Sequence, residues 1–486
     1  MPANEFIVAI ELGSSKITGV AGTKNNDGSV NVYAVVKENA SQCIRKGVVN
    51  NIDKTAQCLT SIISKLSKHM KREITQVYVG VGGQSIRSVR NEIVKEMADE
   101  TIISQSMTDE MKDTNRNMVY PDLEILYAET QEYNVDKQVQ IDPEGMKARR
   151  LQANFLNILC RKAFYSNLNN CFDKATITIA EMFLSPRALA DAVLSEAEKR
   201  SGCVLVDLGA DTTTVMVYHK NILRHMAVIP LGGNNITKDI ASLQMEEADA
   251  EKMKFKYGVA YTDNKDIDTS LNYSIDESRT IESKKFIEIV EGRLDEIIEN
   301  VWNQVPSIYV DKLLGGFILT GGGSNMKNIE KAFRIHTHIE KVRVAKFVNA
   351  TVTSSNSDIT AHDGTMNTVL GLLIKGENNC AGQELNQNPT IFNDTVSVQQ
   401  NRTTADVHTG ARTPGELEGK GIVMTQAEKD KAEDERRKRE EAERQRIADE
   451  EERERKEAEE RRKNSFFNKM VRGIKNFGKS MMEPDE

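Results

Sequence analysis

The chain opens on a continuous apolar run, Phe6-Ile7-Val8-Ala9-Ile10, which stops at Glu11-Leu12-Gly13-Ser14-Ser15. Unbroken apolar text of this length predicts a strand buried on both faces. Strand-like text resumes over residues 16–21. It continues over 30–36 after the turn signal Asn25-Asn26-Asp27-Gly28, which predicts a hairpin fed from the loop. Helical spacing covers residues 53–68, with Ile62, Ile63 and Leu66 on one side, and 77–81 reads as another buried strand. Over 84–165 polar stretches alternate with short strands at 125–128 and 153–159, which predicts a small inserted domain of mixed strands and helices. A strand over 176–180 then leads to a helix over 186–199, with Ser185 as its cap and Pro186 at its first position.

The opening theme returns at Cys203-Val204-Leu205-Val206-Asp207-Leu208-Gly209, followed by hairpin text over 213–218 and 222–229. Two units of strand, carboxylate, glycine and hairpin predict two related lobes facing each other. A third buried strand, Phe317-Ile318-Leu319-Thr320, runs into Gly321-Gly322-Gly323-Ser324. A helix is expected from about Asn325 with Ser324 as cap, and a last helix over 365–374 closes the folded core. The expected division is 1–83 and 166–198 for the first lobe, 84–165 for the insert, and 199–375 for the second lobe, with its own insertion at 236–304.

Beyond residue 375 the pattern ends. Residues 376–427 are rich in Asn, Gln, Thr and Gly and read as a disordered linker. Residues 428–463 are almost all Glu, Asp, Arg, Lys and Ala, with opposite charges three and four apart. That favours an exposed, salt-bridge-laced spacer, roughly 54 Å long if fully helical. From 464 to 481 the apolar positions Phe466, Phe467, Met470, Val471, Ile474 and Phe477 recur at helical spacing, with Lys469, Arg472, Lys475 and Lys479 among them. A basic face opposite phenylalanines predicts an amphipathic helix lying on anionic membrane lipids.

Composition narrows the classes. A chain of 486 residues has room for two or more domains, and its net charge of -8 argues against a nucleic-acid partner. Six scattered cysteines without a CxxC pair fit a reducing compartment and no thiolate zinc site. The N-terminal residues carry no signal-peptide pattern, and no run reaches the length of a membrane span, so membrane contact is expected to be peripheral.

The chemistry suggested by the repeats is phosphate binding. Glycine loops at strand ends present backbone N–H groups to anionic oxygens, and a carboxylate beside each loop can hold waters around magnesium. The candidates are Gly13, Ser14, Ser15 and Lys16 in the first loop and Gly209, Ala210, Asp211, Thr212 and Thr213 in the second. Glu11 and Asp207 are expected to reach magnesium through water, and Gly321, Gly322, Gly323 and Ser324 to border an adenosine. Neither loop has the Walker or dinucleotide-binding spacing.

These motifs resemble the FtsA family of actin-like cell division proteins. The match rests on Ile10-Glu11-Leu12-Gly13-Ser14-Ser15-Lys16, on Leu319-Thr320-Gly321-Gly322-Gly323, and on the stretch from Glu247 to Lys254 followed by Gly258. A further family-like segment runs from Glu129 to Asp136. The resemblance implies an α/β, actin-like (ribonuclease H-like) duplicated ATPase core with an inserted small α+β subdomain. It implies ATP and magnesium, with Glu251 and Lys254 on the ribose or base. It also implies filaments, docking of the C-terminal peptide of the tubulin-like division protein FtsZ on residues 236–304, and recruitment of other division proteins. The expected location is the cytoplasmic face of the inner membrane at the division septum. The segment from Phe286 to Leu294 resembles the family's helix in the docking subdomain.

One departure stands out. The family's second loop reads Asp-x-Gly-Gly-Gly-Thr, whereas this chain has Ala210 and Asp211 after Gly209. Ala disfavours positive φ, and Asp brings negative charge toward a phosphate site. No residue reads as a committed general base, so binding is expected with at most slow hydrolysis. Alternatives are another actin-like membrane adaptor, for pilus assembly or cell shape, or an ATPase enzyme or chaperone on the same fold.

Overall fold

The structure is a computed structural model that describes residues 5–276 and 278–384. The spacer at 428–463 and the amphipathic segment at 464–481, with all its candidate membrane-binding residues, lie outside the described residues.

The first lobe starts with strands β1 (Glu5–Leu12), β2 (Lys16–Lys24) and β3 (Val30–Asn39), then a two-residue hairpin of β4 (Ile44–Arg45) and β5 (Val48–Val49). Helix α1 (Ile52–Met70) follows, capped by the Asn51 side chain, which accepts from Lys54 N–H. Its buried residues Thr55, Ala56, Leu59, Ile62 and Leu66 repeat at three and four, so one stripe lies on the sheet. Strands β6 (Arg72–Ile74) and β7 (Gln76–Val81) end this portion.

The insert holds β8 (Arg87–Ile102), α2 (Gln105–Arg116), β9 (Leu123–Val135), β10 (Gln138–Gln140) and β11 (Lys147–Arg161). Its small core gathers Ile103, Met111, Tyr133, Val135, Ala148, Leu151, Ala153 and Phe155. Its sheet meets the second lobe through one pairing, Ala227 with Arg87.

The chain returns through α3 (Lys162–Lys174), β12 (Thr178–Leu184), α4 (Ser185–Val193) and α5 (Glu196–Ser201). The helix expected over 186–199 is therefore two helices, and Ser185 lies inside the first turn with Leu184 at the cap position. The break comes where Leu194 and Ser195 turn extended and Ser195 starts a new capping box with Glu198.

The second lobe comprises β13 (Cys203–Leu208), β14 (Thr213–His219), β15 (Ile222–Ile229), α6 (Gly233–Ala241), α7 (Glu247–Tyr257), β16 (Asn272–Ser274), β17 (Thr280–Glu282), α8 (Ser283–Asn303), α9 (Ser307–Val310), β18 (Gly316–Thr320), α10 (Ile329–Thr337) and β19 (Val342–Val344). The first sheet has the order β12-β7-β1-β2-β3, and the second lobe repeats it as β19-β18-β13-β14-β15. In both, an antiparallel triplet is flanked by two parallel strands. The duplication read from two short motifs is thus a duplication of topology.

The chain ends its described path on the first lobe. Strand β20 (Val352–Thr353) pairs with β3, α11 (Ser357–Thr360) follows, and α12 (Asn367–Lys375) packs in the first lobe's hydrophobic core with Val369, Leu370, Leu372 and Leu373. The second lobe therefore does not extend to 375 as expected, because the apolar face of α12 finds its partners on α4 and β1. Nor does the linker begin at 376. Cys380 is fully buried and its N–H donates to Phe6 O, while Tyr78 Oη accepts from the N–H groups of Glu377 and Asn378. Strand β21 (Ala381–Glu384) then pairs with β6.

Candidate functional site

Each lobe delivers one tight turn to a shared cleft. In the first, Glu11 lies opposite Thr18 across β1 and β2, and Gly13 N–H donates to Lys16 O at 3.1 Å. In the second, Asp207 lies opposite Thr214, and Gly209 N–H donates to Thr212 O at 2.9 Å. The spacing from acid to opposing threonine is the same in both. A side chain at Gly13 or Gly209 would press on the carbonyl of Lys16 or Thr212 at 2.8 and 2.7 Å, so small size rather than positive φ selects glycine there.

Between the turns lies a cavity of about 830 Å³. It is lined by Glu11, Gly13, Ser14, Ser15, Lys16, Asp207, Gly209, Ala210, Thr212, Thr213, Glu251, Lys254, Gly321, Gly322 and Gly323. Two sequence candidates do not line it. Asp211 turns aside, accepting from Asn234 Nδ2 at 2.7 Å and from Lys46 N–H at 3.2 Å. Ser324 is buried and donates to Gly321 O at 2.7 Å. Instead of capping an α-helix, Ser324 closes a single 3₁₀ turn over Gly322–Asn325, and α10 begins four residues later.

The departure in the second turn is sterically mild. Among the described residues neither Ala210 nor Asp211 has positive φ, so no glycine is required at either place. The charge of Asp211 meets two donors, the Asn234 amide at the cavity edge and the Lys46 N–H beyond it.

Gly321 does need to be glycine. Its φ is +81°, and a Cβ would stand 2.3 Å from Asp207 Oδ1 and 2.8 Å from Leu208 O. This close approach sets the third glycine loop directly against the carboxylate of β13.

Helix α6 starts at Gly233 beside the second turn, with Gly233 N–H donating to Gly209 O and Asn234 N–H to Ala210 O. Lys254 of α7 spans to it. Its ammonium donates to Gly233 O at 3.1 Å and Thr237 Oγ1 at 2.8 Å, and it pairs with Glu251 at 2.6 Å. Thr237 in turn donates to Glu251. Replacing Lys254 by alanine leaves the Glu251 carboxylate without its cation and removes two of the bonds from α7 to α6, while Thr237 still donates to Glu251. For the nucleotide expected from the sequence, binding should weaken about tenfold, measured by calorimetry, with the fold retained by circular dichroism.

The electrostatics of the floor are unusual. Burial first, and the charge of Asp207 second, push the Glu11 carboxyl up to about 7, against the pull of Lys16 and Lys37. Burial pushes Asp207 up to about 6. Burial, then Lys37, lowers the Lys16 ammonium from its ordinary value. Both carboxyls are half-buried at the cavity wall, and a divalent cation there would relieve their repulsion. Among the described residues no group of three or more His, Cys, Asp or Glu forms a metal cage. A magnesium ion here would depend on phosphate oxygens and waters for most of its ligands.

Other lining residues were not anticipated. Gly82 and Gly83 follow β7, Gly232 and Gly233 follow β15, and Asp363, Gly364 and Thr365 precede α12. The glycine pairs after buried strands were a legible signal. Tyr257 and Tyr273, stacked at 4.1 Å between ring centres, form another wall, and nothing in local spacing foretold their meeting across sixteen residues.

Comparison with known proteins agrees with this architecture. The family description "Cell division protein FtsA" matches residues 204–362, and "SHS2 domain inserted in FTSA" matches 83–159. A cell division protein FtsA from Porphyromonas gingivalis is 31% identical over 338 residues, covering 68% of this chain and 71% of its own. One from Neisseria meningitidis serogroup B is 30% identical over 331 residues, covering 67% and 80%. Among solved structures, a chain of a PilM-PilN type IV pilus biogenesis complex matches with a TM-score of 0.53 at 15% identity, covering 76% of this chain and 98% of that one. The fold is actin-like, and the chain belongs to the FtsA family of cell division proteins.

Proposed function

We propose that the cleft takes an adenine nucleotide with magnesium, and that the protein is a nucleotide-switched scaffold of cell division. The observation that carries the nucleotide reading is the pair of equivalent turns, each beside a half-buried carboxylate, facing one cavity of about 830 Å³. Backbone N–H groups within the two turns suit a polyphosphate, and Lys16 supplies a cation beside them. The glycine turn at 321–323 leaves room for a sugar and base against backbone, with Glu251 and Lys254 alongside. Glu11 and Asp207 would hold a magnesium ion through water, and such an ion would supply neutralisation of phosphate charge. The sequence offers no residue committed as a general base, and the proposed use of hydrolysis is slow turnover as a switch.

Family membership supports the wider role: self-association into filaments, contact with other division proteins, and anchoring of the FtsZ ring to the cytoplasmic face of the inner membrane. Residues 236–304, built on α6, α7 and α8, are the proposed dock for the FtsZ C-terminal peptide. The amphipathic pattern at 464–481 is the proposed anchor for anionic lipid.

Co-sedimentation with vesicles containing anionic lipid tests the anchor. Deletion of 464–481 is expected to reduce bound protein at least about tenfold, because seven large apolar side chains and four cations leave together. Undiminished vesicle binding by the truncated chain would rule the anchor out. Fluorescence anisotropy with a labelled FtsZ C-terminal peptide tests the dock in parallel; no binding to the full chain would remove that partner.

A further inference from the structure

The small hairpin of β4 and β5 ends in a two-residue turn, Lys46 and Gly47, with φ of +50° and +72°. This left-handed pair is the tight hairpin geometry, and it turns successive backbone N–H groups outward. Gly47 N–H donates to Ser14 Oγ in the first phosphate turn at 2.8 Å. Lys46 N–H donates to Asp211 Oδ2 in the second at 3.2 Å. Lys46 O accepts from Gln84 N–H at 2.9 Å, and the backbones of Gly47 and Gly83 touch so closely that a Cβ on Gly47 would sit 2.6 Å from Gly83 Cα.

The tip is therefore seated on its own lobe by Ser14, Gly83 and Gln84, and Asp211 reaches it from the other lobe. Asp211 is itself held at its second oxygen by Asn234. Each carboxylate oxygen serves one donor, and the residue stands outside the cavity wall.

We propose that Asp211 is an interlobe clasp, a positioning residue that ties the second phosphate turn to the first-lobe hairpin and slows escape of bound nucleotide. This rests on the nucleotide reading above. A carboxylate can satisfy both donors, asparagine offers a single acceptor oxygen, and alanine offers none. The effects should therefore be graded: release of nucleotide faster by roughly tenfold in Asp211→Ala and by roughly threefold in Asp211→Asn, with association changed by less than about twofold.

The test uses the full chain with magnesium and a fluorescent ATP analogue, chased by excess ATP in stopped flow. Hydrogen exchange of segment 44–49 in the nucleotide-free protein is measured alongside. Faster release together with faster exchange, larger in the alanine than in the asparagine variant, supports the clasp. Unchanged exchange in Asp211→Ala overturns it. Faster exchange with unchanged release overturns the part that concerns nucleotide retention. If the wild-type chain binds no nucleotide, the proposed function fails, and the exchange comparison alone then decides whether the clasp exists.

Discussion

Gly321→Val is expected to weaken nucleotide binding at least about 100-fold, while the insert and both sheets persist. The substitution imposes two penalties at one point. Valine strongly disfavours the φ of +81° held there, and its Cβ would drive into Asp207 Oδ1 and the backbone of Leu208. Relief requires the glycine turn to move away from β13, which pulls apart the sugar side of the cavity and the carboxylate on its floor. Calorimetric titration of ATP in magnesium measures the loss, and thermal unfolding monitors integrity. Gly292→Val on α8, where a Cβ meets nothing within 4 Å, is the matched control and should bind as the wild type does.

The second large effect is on pH dependence. Glu11 and Asp207 hold their protons to about 7 and about 6 in the folded chain, above their ordinary values. Between the unfolded and folded pKa values the folded state binds more protons, so the stability of the ligand-free protein falls as pH rises from about 4 toward 7. Below that window both states are protonated and the penalty vanishes. Glu11→Gln should accordingly stabilise the ligand-free chain at pH 7.5 by on the order of 1–3 kcal/mol, less where cavity water already screens the charge. Binding of magnesium nucleotide, as proposed, is expected to show the opposite dependence. The cation requires ionised carboxylates, so binding releases protons, and affinity should rise about tenfold between pH 6 and pH 7, then level. Glu11→Gln flattens that rise. Titrations across pH in two buffers of different ionisation enthalpy measure both the slope and the protons released.

Much of this was readable in the chain. The runs ending at Glu11 and Asp207 were continuous and apolar, so burial on both faces and the position of each turn followed from residue type. The topological repeat was legible because the same order of strand, acid, glycine and hairpin occurs twice. What local pattern could not show was partnership. The helix α12 reads like any apolar helix, and only its seat against α4 and β1 assigns it to the first lobe. The strand at Ala381–Glu384 sits in polar text, yet Cys380 and the Tyr78 hydroxyl fasten it. Asp211 looked like a misplaced charge in a phosphate loop because the donors that receive it, Lys46 and Asn234, lie 165 and 23 residues away. Ser324 was expected to cap a helix, but glycines on its N-terminal side favoured a 3₁₀ turn first.

In the proposed function one ligand bridges two equivalent turns. Hydrogen exchange with and without magnesium ATP measures it most directly. Simultaneous slowing is expected in segments 12–16, 209–213, 232–236 and 321–325, with the insert strands β9 and β10 unchanged. Slowing in only one lobe, or in none of these segments under saturating nucleotide, would contradict it.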